Sequence, residues 1–409
     1  MNIVVKPSLL KGSLDIPASK SCAHRVLICA ALSDGVSHIS GISFSKDIEA
    51  TINAMTALGA SFTVDGSNVT VTGINSNISG QADIDCCESG STLRFVLPVA
   101  AALGADSVFH GRGRLPERPV DIFIREFDRH GVKFVSKTMP YMLSGKLSGG
   151  KYEIEGNVSS QFITGLLFAL PLLDEDSEII LTSHLESRPY VDITIDILKR
   201  FGISVEETQD SFFIKGGQKY TAHDEKVEGD YSQAAFFYVA NALGSDVDIR
   251  NLNTDSVQGD KRITDIISEA AVNGEIKGFS ADCSNIPDLV PILSVLGAYG
   301  SERSVIYNAE RLRIKESDRL AACADMLNSL GGNVTVTDDG LIIEPTGGLH
   351  GGKVSSYGDH RIVMAASVAA LKASGEVTIE GAEAVEKSYP DFFSDYTHLG
   401  GNANVINME

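Results

Sequence analysis

The chain has 409 residues, of which 43% are hydrophobic and 22% charged, and its formal net charge is −20. This composition excludes a generally disordered protein, and the acidic balance argues against nonspecific binding to nucleic acid or anionic membranes, because like charges repel. The length favours two domains rather than one core. The N-terminus lacks a signal-peptide pattern, apolar runs are too short to span a bilayer and the six Cys form no CxxC pair, so a cytoplasmic protein with reduced thiols is expected.

One pattern returns along the chain: an Asp, an amphipathic helix, a Gly and then a short alternating strand. Successive glycines of this pattern are separated by 72, 71, 72, 57 and 69 residues. The strands include residues 203–205 after the third helix and residues 333–336 after the fifth. Repetition on this scale predicts a repeated α/β building block, and hence an α/β (α+β) fold. A polar, Gly-containing stretch at residues 226–230 divides the six units into two halves of three.

Several polar segments precede apolar helices, where free backbone N–H groups and the helix dipole favour an anion. Lys20, Ser21 and Arg25 come at the start of a helix predicted over residues 26–32. Gly90 precedes a helix predicted over residues 95–103, and its missing side chain lets an anion approach the backbone.

The loop over residues 112–119 adds three Arg, the residue type best suited to bidentate binding of carboxylate or phosphate. Further segments of this kind lie around Ser159-Ser160-Gln161, Ser187-Arg188-Pro189-Tyr190 and Asp288, and later at residues 357–361 and 386–391. Each segment alone is typical of a structural helix cap. Together they present the Lys, Arg, Ser and Gln side chains that an anionic small molecule requires.

The most basic stretch is residues 311–319, which holds four basic side chains in nine residues. Apolar spacing after it predicts a helix near residues 318–330, with Ser317 as the N-cap. If the first turn begins slightly earlier, Lys315 and Arg319 lie on one face, and Glu316 and Asp318 point elsewhere.

Taken together and in this order, these segments resemble the 5-enolpyruvylshikimate 3-phosphate synthases, also called 3-phosphoshikimate 1-carboxyvinyltransferases. The motifs that carry the resemblance extend over residues 15–395 and include Lys20-Ser21, Glu117-Arg118-Pro119, Ser159-Ser160-Gln161, Lys315-Glu316-Ser317-Asp318-Arg319 and Asp359-His360-Arg361. The resemblance implies two domains of three repeated units, with residues 1–17 and 227–409 in one, residues 18–226 in the other, and the active site in the cleft between them.

The resemblance also implies the reaction and its residues. The 5-hydroxyl of shikimate 3-phosphate attacks C2 of phosphoenolpyruvate, C3 is protonated, and phosphate leaves from a tetrahedral intermediate. The residues expected to bind shikimate 3-phosphate are Lys20, Ser21, Arg25, Ser159, Ser160, Gln161, Ser187, Tyr190, Asp288 and Lys315. Those expected to bind phosphoenolpyruvate are Lys20, Gly90, Arg118, Gln161, Arg319, Arg361 and Lys387. The catalytic group is expected to be Asp288, Glu316 and Lys20, with His360 close by.

Further expectations concern cofactors and partners. Proton transfer and oxyanion stabilisation suffice for this chemistry, so neither a metal nor an organic cofactor is expected. The partners are the two small-molecule substrates, without nucleic acid or membrane, and the protein is expected to be a monomer. The resemblance marks glyphosate as an inhibitor at the phosphoenolpyruvate site, in the space that the missing side chain of Gly90 leaves.

Three alternatives remain open at this stage. A UDP-N-acetylglucosamine enolpyruvyl transferase shares the donor but uses Lys-Asn near its start and usually Cys in the mobile loop, whereas this chain has Lys20-Ser21 and no Cys at residues 112–119. A repeat scaffold without catalysis should repeat its surface residues from unit to unit, which this chain does not. A pseudoenzyme that only binds ligands is distinguished by its failure to release phosphate from the two substrates.

Overall fold

The computed structural model describes residues 1–74, 81–272 and 274–406, which divide into two compact units. The inserted unit is Ala18–Glu228, and the terminal unit combines Met1–Pro17 with Gly229–Glu409. Each unit has its own hydrophobic core. Within the described ranges, every helix is too short or too polar to be a membrane span.

The inserted unit contains three four-stranded sheets with one shared topology. In each sheet the first two strands in spatial order are parallel and the next two pairings are antiparallel. The sheets, in spatial order, are Glu225–Lys226, Val36–Ser40, Asn68–Thr72 and Ser61–Asp65; Ala82–Asp85, Ser107–His110, Tyr141–Gly145 and Val132–Ser136; and Gly150–Ile154, Ser177–Leu181, Ser211–Ile214 and Glu206–Glu207.

Within residues 18–74 and 81–228, the helices that accompany these sheets are α1 (Lys20–Leu32), α2 (Lys46–Ala57), α3 (Gly90–Leu103), α4 (Asp121–Arg129), α5 (Ser160–Ala169) and α6 (Arg188–Arg200), with 3-10 turns at Leu115–Glu117 and Leu170–Leu172. The apolar helices pack against one another to form the core. The helix α3 packs on α5, α5 on α6, and α1 on both α2 and α6.

The terminal unit repeats the same topology twice in full and once in reduced form. Two of its sheets again have one parallel and two antiparallel pairings. The third, reduced copy consists of a parallel strand pair and a short hairpin. The sheets are Gly352–Ser355, Val377–Glu380, Asn2–Lys6 and Asn402–Ile406; Ser280–Asp282, Ser304–Tyr307, Leu341–Glu344 and Asn333–Val336; Asp246–Arg250 with Lys11–Asp15; and Ala271–Val272 with Glu275–Ile276.

The helices of the terminal unit are α7 (Tyr231–Ala242), α8 (Ile263–Ala270), α9 (Val290–Ala298), α10 (Arg319–Ser329), α11 (His360–Ala370) and α12 (Phe392–His398), with 3-10 turns at Gly259–Arg262, Pro287–Leu289, Glu310–Ile314 and Ala382–Lys387. At their centre are α9 and α11, whose residues are buried throughout. The predicted mixed fold of repeated sheet-plus-helix units is confirmed, and the reduced copy accounts for the shortened interval of 57 residues.

Two helices of the inserted unit begin earlier than the sequence predicted. The Ser19 hydroxyl accepts the N–H of Cys22, so α1 begins at Lys20 rather than near residue 26. The Ser89 hydroxyl accepts the N–H of Thr92, so α3 begins at Gly90 rather than near residue 95. Both segments predicted to bind anions are therefore the first turns of helices, because a serine cap stabilises the free N–H groups there.

The cap predicted for α10 was wrong by one residue. Asp318 is the N-cap, and its carboxylate accepts the N–H of Ala321 at 3.1 Å. The Ser317 hydroxyl instead donates to Asp359 Oδ2 at 3.0 Å. Lys315 precedes the helix with extended backbone, so it does not lie one helical turn from Arg319.

The strand predicted at residues 203–205 was also wrong. The N–H of Ile203 donates to the carbonyl of Leu198 at 2.9 Å, which closes the end of α6. The strand begins three residues later, at Glu206–Glu207. A local helix-closing bond therefore competes successfully with strand pairing over these residues.

Candidate active site

The terminal unit contains a buried network of one arginine and three carboxylates. Arg319 is the first residue of α10, and its side chain is 2% exposed. Its guanidinium donates to Asp359 Oδ2, Asp288 Oδ1 and Glu316 Oε2, each at 2.8 Å. The expectation that Glu316 points away from Arg319 is therefore wrong, because the guanidinium reaches back by three residues to bind it.

A second arginine, Arg361, binds the carboxylate of Asp288. Arg361 lies in the first turn of α11, and its Nη2 donates to Asp288 Oδ2 at 2.9 Å and to Ser232 Oγ at 3.1 Å. Asp288 belongs to the 3-10 turn before α9. Arg319 binds one oxygen of its carboxylate and Arg361 binds the other. The structure thus brings together Asp288, Glu316, Arg319 and Arg361, all of which the sequence assigned to the site.

The charge of Asp288 is stabilised by this arrangement. Burial alone would raise the pKa of its carboxyl group, but the positive charges of Arg361, Arg319 and Lys315 outweigh that effect. The pKa of Asp288 consequently lies below its ordinary value. With both arginines bound, Asp288 is an ionised carboxylate of low basicity.

Asp359 is a site residue to which the sequence assigned no separate role. Its side chain is completely buried, and besides Arg319 and Ser317 it accepts the backbone N–H of Arg361 at 3.0 Å. The Asp359 carboxylate therefore holds both arginines of the network. It binds the guanidinium of Arg319 and caps the helix that begins with His360 and Arg361. The available signal was the position of an Asp directly before His360 and Arg361, which is typical of an N-cap.

His360 and Lys387 lie beside this network on neighbouring segments. His360 is buried, and its Nδ1 lies 3.9 Å from Asp359 Oδ1. The Lys387 ammonium donates to the carbonyl of Gly358 at 2.9 Å, immediately before Asp359. Both residues are therefore associated with the segment that carries Arg361.

The inserted unit contributes a lysine at the start of α1. Lys20 is the first residue of the helix, and its ammonium donates to Asp47 Oδ2 at 2.9 Å. Both side chains are less than one-fifth exposed. Asp47 was part of the predicted repeat but received no site role, because the sequence could not show that α2 lies against α1.

Arg25 is a buried arginine that connects two helix starts of the inserted unit. Its guanidinium is buried and donates to Thr194 Oγ1 at 2.8 Å and to the carbonyls of Ser21 and Tyr190 at 2.7 and 3.0 Å. It also lies over the ring of Phe95. These contacts tie the start of α1 to that of α6, and the assignment of Arg25 to shikimate 3-phosphate stays a prediction.

A second polar group surrounds the start of α3. Gln161 Nε2 donates to Ser91 Oγ at 3.0 Å, and Arg94 Nη1 donates to Gln161 Oε1 at 2.8 Å. The Arg118 guanidinium lies against Gly90, where a Cβ would be 2.5 Å from Arg118 Cζ. The space that the missing side chain leaves is therefore occupied by the Arg118 guanidinium, and the expectation that an inhibitor binds beside Gly90 stays a prediction.

The serines assigned to shikimate 3-phosphate lie at two further helix starts. Ser159 caps α5 by accepting the N–H of Gln161 at 3.3 Å, and Ser160 is the first helical residue. Ser187 precedes α6 with a left-handed backbone, φ = 54°, and its side chain makes no cap hydrogen bond there. A strained residue without a capping role is often associated with a functional site.

The chemistry available to these residues is acid–base catalysis and anion binding. Each unit places carboxylates, lysines or arginines at the N-terminal turns of helices. Among residues 1–74, 81–272 and 274–406, no group of three or more His, Cys, Asp and Glu side chains has the geometry to hold a metal ion.

Comparison with known proteins agrees with this chemistry. Residues 4–396 match the family described as EPSP synthase (3-phosphoshikimate 1-carboxyvinyltransferase). The chain is 46% identical to the 3-phosphoshikimate 1-carboxyvinyltransferase of Clostridium novyi, with 98% of each chain covered, and 43% identical to that of Clostridioides difficile, with 100% of this chain and 99% of the relative covered.

Solved structures show the same relationship. EPSP synthase from Acinetobacter baumannii superimposes with a TM-score of 0.83 at 25% identity, covering 99% of this chain and 100% of that one. The enolpyruvyl transferase NikO from Streptomyces tendae shares the fold, with a TM-score of 0.81 at 16% identity, covering 100% of this chain and 99% of that one. The chain belongs to the EPSP synthase (3-phosphoshikimate 1-carboxyvinyltransferase) family.

Proposed function

We propose that this protein transfers the enolpyruvyl group of phosphoenolpyruvate to the 5-hydroxyl of shikimate 3-phosphate and releases phosphate. The observation that carries this function is Asp288, which lies between the guanidinium groups of Arg319 and Arg361. A carboxylate can accept the hydroxyl proton, and two arginines can bind the carboxylate and phosphate of the donor.

The reaction begins with attack of the 5-hydroxyl oxygen on C2 of phosphoenolpyruvate. Asp288 takes the hydroxyl proton, while Glu316 and Lys20 are the groups assigned to proton transfer at C3. In the second step C3 loses a proton and the C2–O bond to phosphate breaks, which restores the double bond. Proton transfers and charge stabilisation by Arg and Lys balance this sequence without a redox step.

Donor binding changes the partners of the base. Asp288 now accepts hydrogen bonds from Arg319 and Arg361, which the proposed function assigns to phosphoenolpyruvate. Donor anions that bind these guanidinium groups compete with Asp288 for the same N–H donors. Because the arginines hold the pKa of Asp288 low, their engagement with the donor raises its basicity when both substrates are present.

The binding roles are distributed over helix starts of both units. The residues assigned to shikimate 3-phosphate are Lys20, Ser21, Arg25, Ser159, Ser160, Gln161, Ser187, Tyr190, Asp288 and Lys315. Arg25 also donates to the carbonyls of Ser21 and Tyr190. Lys20, Gly90, Arg118, Gln161, Arg319, Arg361 and Lys387 are assigned to phosphoenolpyruvate.

The protein is assigned to the cytoplasm as a monomer. All six cysteines are free thiols, as is usual in a reducing compartment, and burial raises the pKa of Cys323 to about 12, which makes it unreactive. One chain supplies every residue assigned to the substrates, so the proposed reaction requires no second copy. Light scattering during size-exclusion chromatography tests the monomer.

Phosphate release on mixing the protein with both substrates tests the function. Release should require shikimate 3-phosphate as well as phosphoenolpyruvate, and UDP-N-acetylglucosamine should not replace the former. Release from phosphoenolpyruvate alone would indicate a phosphatase. Binding of both substrates without release would indicate a protein that retains only the binding function.

A further inference from the structure

A buried chain of hydrogen bonds connects three helices of the inserted unit. His24 Nδ1 lies 2.7 Å from Thr51 Oγ1, Thr51 Oγ1 lies 2.7 Å from Thr92 Oγ1, and Thr92 Oγ1 donates to Ser89 Oγ at 2.8 Å. All four side chains are at most 1% exposed. The chain thus runs from the middle of α1, through α2, to the cap of α3.

The hydroxyl hydrogens give this chain a direction. Each hydroxyl has one hydrogen to donate, and Thr92 donates its hydrogen to Ser89. Thr51 must then donate to Thr92, and Thr51 accepts from His24, which therefore carries its hydrogen on Nδ1. Burial, with the nearby charges of Lys20 and Arg25, lowers the pKa of His24 well below its ordinary value, so the ring is neutral.

The second ring nitrogen of His24, Nε2, is a buried polar atom. His24 Nε2 has no hydrogen-bond partner in the part of the chain that the structure describes. A buried polar atom without a partner costs free energy, so the core would be more stable with an apolar side chain here. The Nδ1 donor is the feature of His24 that an apolar side chain could not replace.

The far end of the chain lies at the group assigned to phosphoenolpyruvate. Ser89 caps α3 through the N–H of Thr92, and the next two residues contact that group: Gly90 meets Arg118, and Ser91 meets Gln161. Thr92 Oγ1 also lies 3.4 Å from the carbonyl oxygen of Asp47, whose carboxylate binds Lys20. The chain therefore reaches both anion-binding helix starts of this unit.

We infer that His24 is a positioning residue for donor binding, which it supports by fixing the Ser89 cap of α3 through Thr51 and Thr92. This inference rests on the proposed function, because it takes the groups around Gly90 as donor ligands. His24 itself touches neither substrate. Its loss should therefore weaken binding of phosphoenolpyruvate more than that of shikimate 3-phosphate, because Gly90 and Arg118 are assigned to the donor alone and only Lys20 and Gln161 are shared.

Two substitutions of His24 separate positioning from packing. His24→Phe fills the space and removes the donor, whereas His24→Asn places an amide N–H near the former Nδ1 but leaves a cavity beside Phe95, whose ring contacts that of His24. We expect the KM for phosphoenolpyruvate to rise about fivefold to tenfold in His24→Phe, the factor that matches one lost hydrogen bond, and to stay near wild type in His24→Asn. Thermal stability should follow the opposite order.

A structural role alone makes a different prediction, namely that KM changes only where stability falls. Thr51→Val, which removes the central hydroxyl at nearly constant volume, should raise the same KM as His24→Phe, and the double variant should add little, because both break one chain. An unchanged KM for phosphoenolpyruvate in Thr51→Val, or an equal rise in the KM of both substrates, would overturn the inference. Should His24→Phe not fold, Thr51→Val decides.

A separate control tests the function on which the inference rests. Wild-type protein must release phosphate from the two substrates, and Arg118→Ala must raise the KM for phosphoenolpyruvate. Failure of either result refutes the donor assignment itself. If both results are obtained and the His24 and Thr51 variants behave like wild type, the positioning role alone is wrong.

Discussion

Replacing Arg319 with Ala should destabilise the terminal unit more than any surface arginine does. The guanidinium is 2% exposed and is the 2.8 Å partner of Asp359, Asp288 and Glu316, whose side chains are 0%, 18% and 23% exposed. Removing the cation leaves Asp359 charged and wholly buried. Breaking a buried ion pair from one side costs about 3–5 kcal/mol, so we expect a loss of that size in the free energy of unfolding.

A matched control is Arg262→Ala, also in the terminal unit. Arg262 is 44% exposed and pairs with Asp265 at 3.0 Å and Glu269 at 2.7 Å. Solvent screens such pairs, so this substitution should cost about 0–1 kcal/mol. The chain has no Trp, so unfolding in urea is followed by far-ultraviolet circular dichroism, and hydrogen exchange in α10 and α11 localises the change.

Asp359→Asn should change the free energy of unfolding in opposite directions in the wild type and in Arg319→Ala. Asp359→Asn should destabilise the wild type by about 1.5–3 kcal/mol, because it weakens a charge-assisted hydrogen bond. In the Arg319→Ala background it should stabilise the protein, because it removes a buried charge that has lost its partner. If Asp359→Asn is equally harmful in both backgrounds, or if Arg319→Ala costs no more than Arg262→Ala, the network does not hold the buried charge as described.

Three further predictions concern the proposed reaction. Asp288→Asn should lower kcat at least roughly a hundredfold in the phosphate-release assay, and near-normal turnover would remove Asp288 from the role of base. The pKa of Asp288 is depressed in the folded protein, so its charge stabilises the fold above its ordinary pKa of about 3.9, and this stability is lost as the pH falls through the lower, folded value. The difference in urea midpoint between wild type and Asp288→Asn should therefore shrink in acid. A constant difference would contradict the depressed pKa. Gly90→Ala must displace the Arg118 guanidinium. Titrations should therefore show a higher KM for phosphoenolpyruvate and weaker inhibition by glyphosate, with little change in the KM for shikimate 3-phosphate. Equal losses for both substrates would argue against the Gly90–Arg118 contact.

The repeated units could be predicted from the sequence because they depend on local patterns. A helix near residues 318–330 and a strand at residues 333–336 follow from spacing within a few residues, and the structure has a helix at Arg319–Ser329 and a strand at Asn333–Val336. The cap of α10 could not be chosen in the same way, since Ser317 and Asp318 are both good capping residues. Asp359, 42 residues away, decides between them because its carboxylate accepts the hydrogen bond of the Ser317 hydroxyl.

The residues of the candidate site were predictable, but their partners were not. The sequence indicated Arg319, Asp288 and Gly90 through family motifs, which say nothing about contacts. That Asp359 binds Arg319, that Arg118 fills the space beside Gly90, and that His24 bonds to Thr51 all depend on how separate helices pack. Such contacts arise only when the chain is folded.

The partners of the arginines also explain how so acidic a chain can bind two anions. With a net charge of −20, the protein as a whole repels its substrates, and the attraction must be local. In the terminal unit the local cations are already neutralised, since Arg319 and Arg361 bind carboxylates at 2.8 to 2.9 Å. With the donor roles proposed for Arg319 and Arg361, donor binding is an exchange of one anion for another, and most of the desolvation of the guanidinium groups has occurred during folding. The carboxylate exchanged in this proposal is that of Asp288, so the step that binds the donor would also free the proposed base.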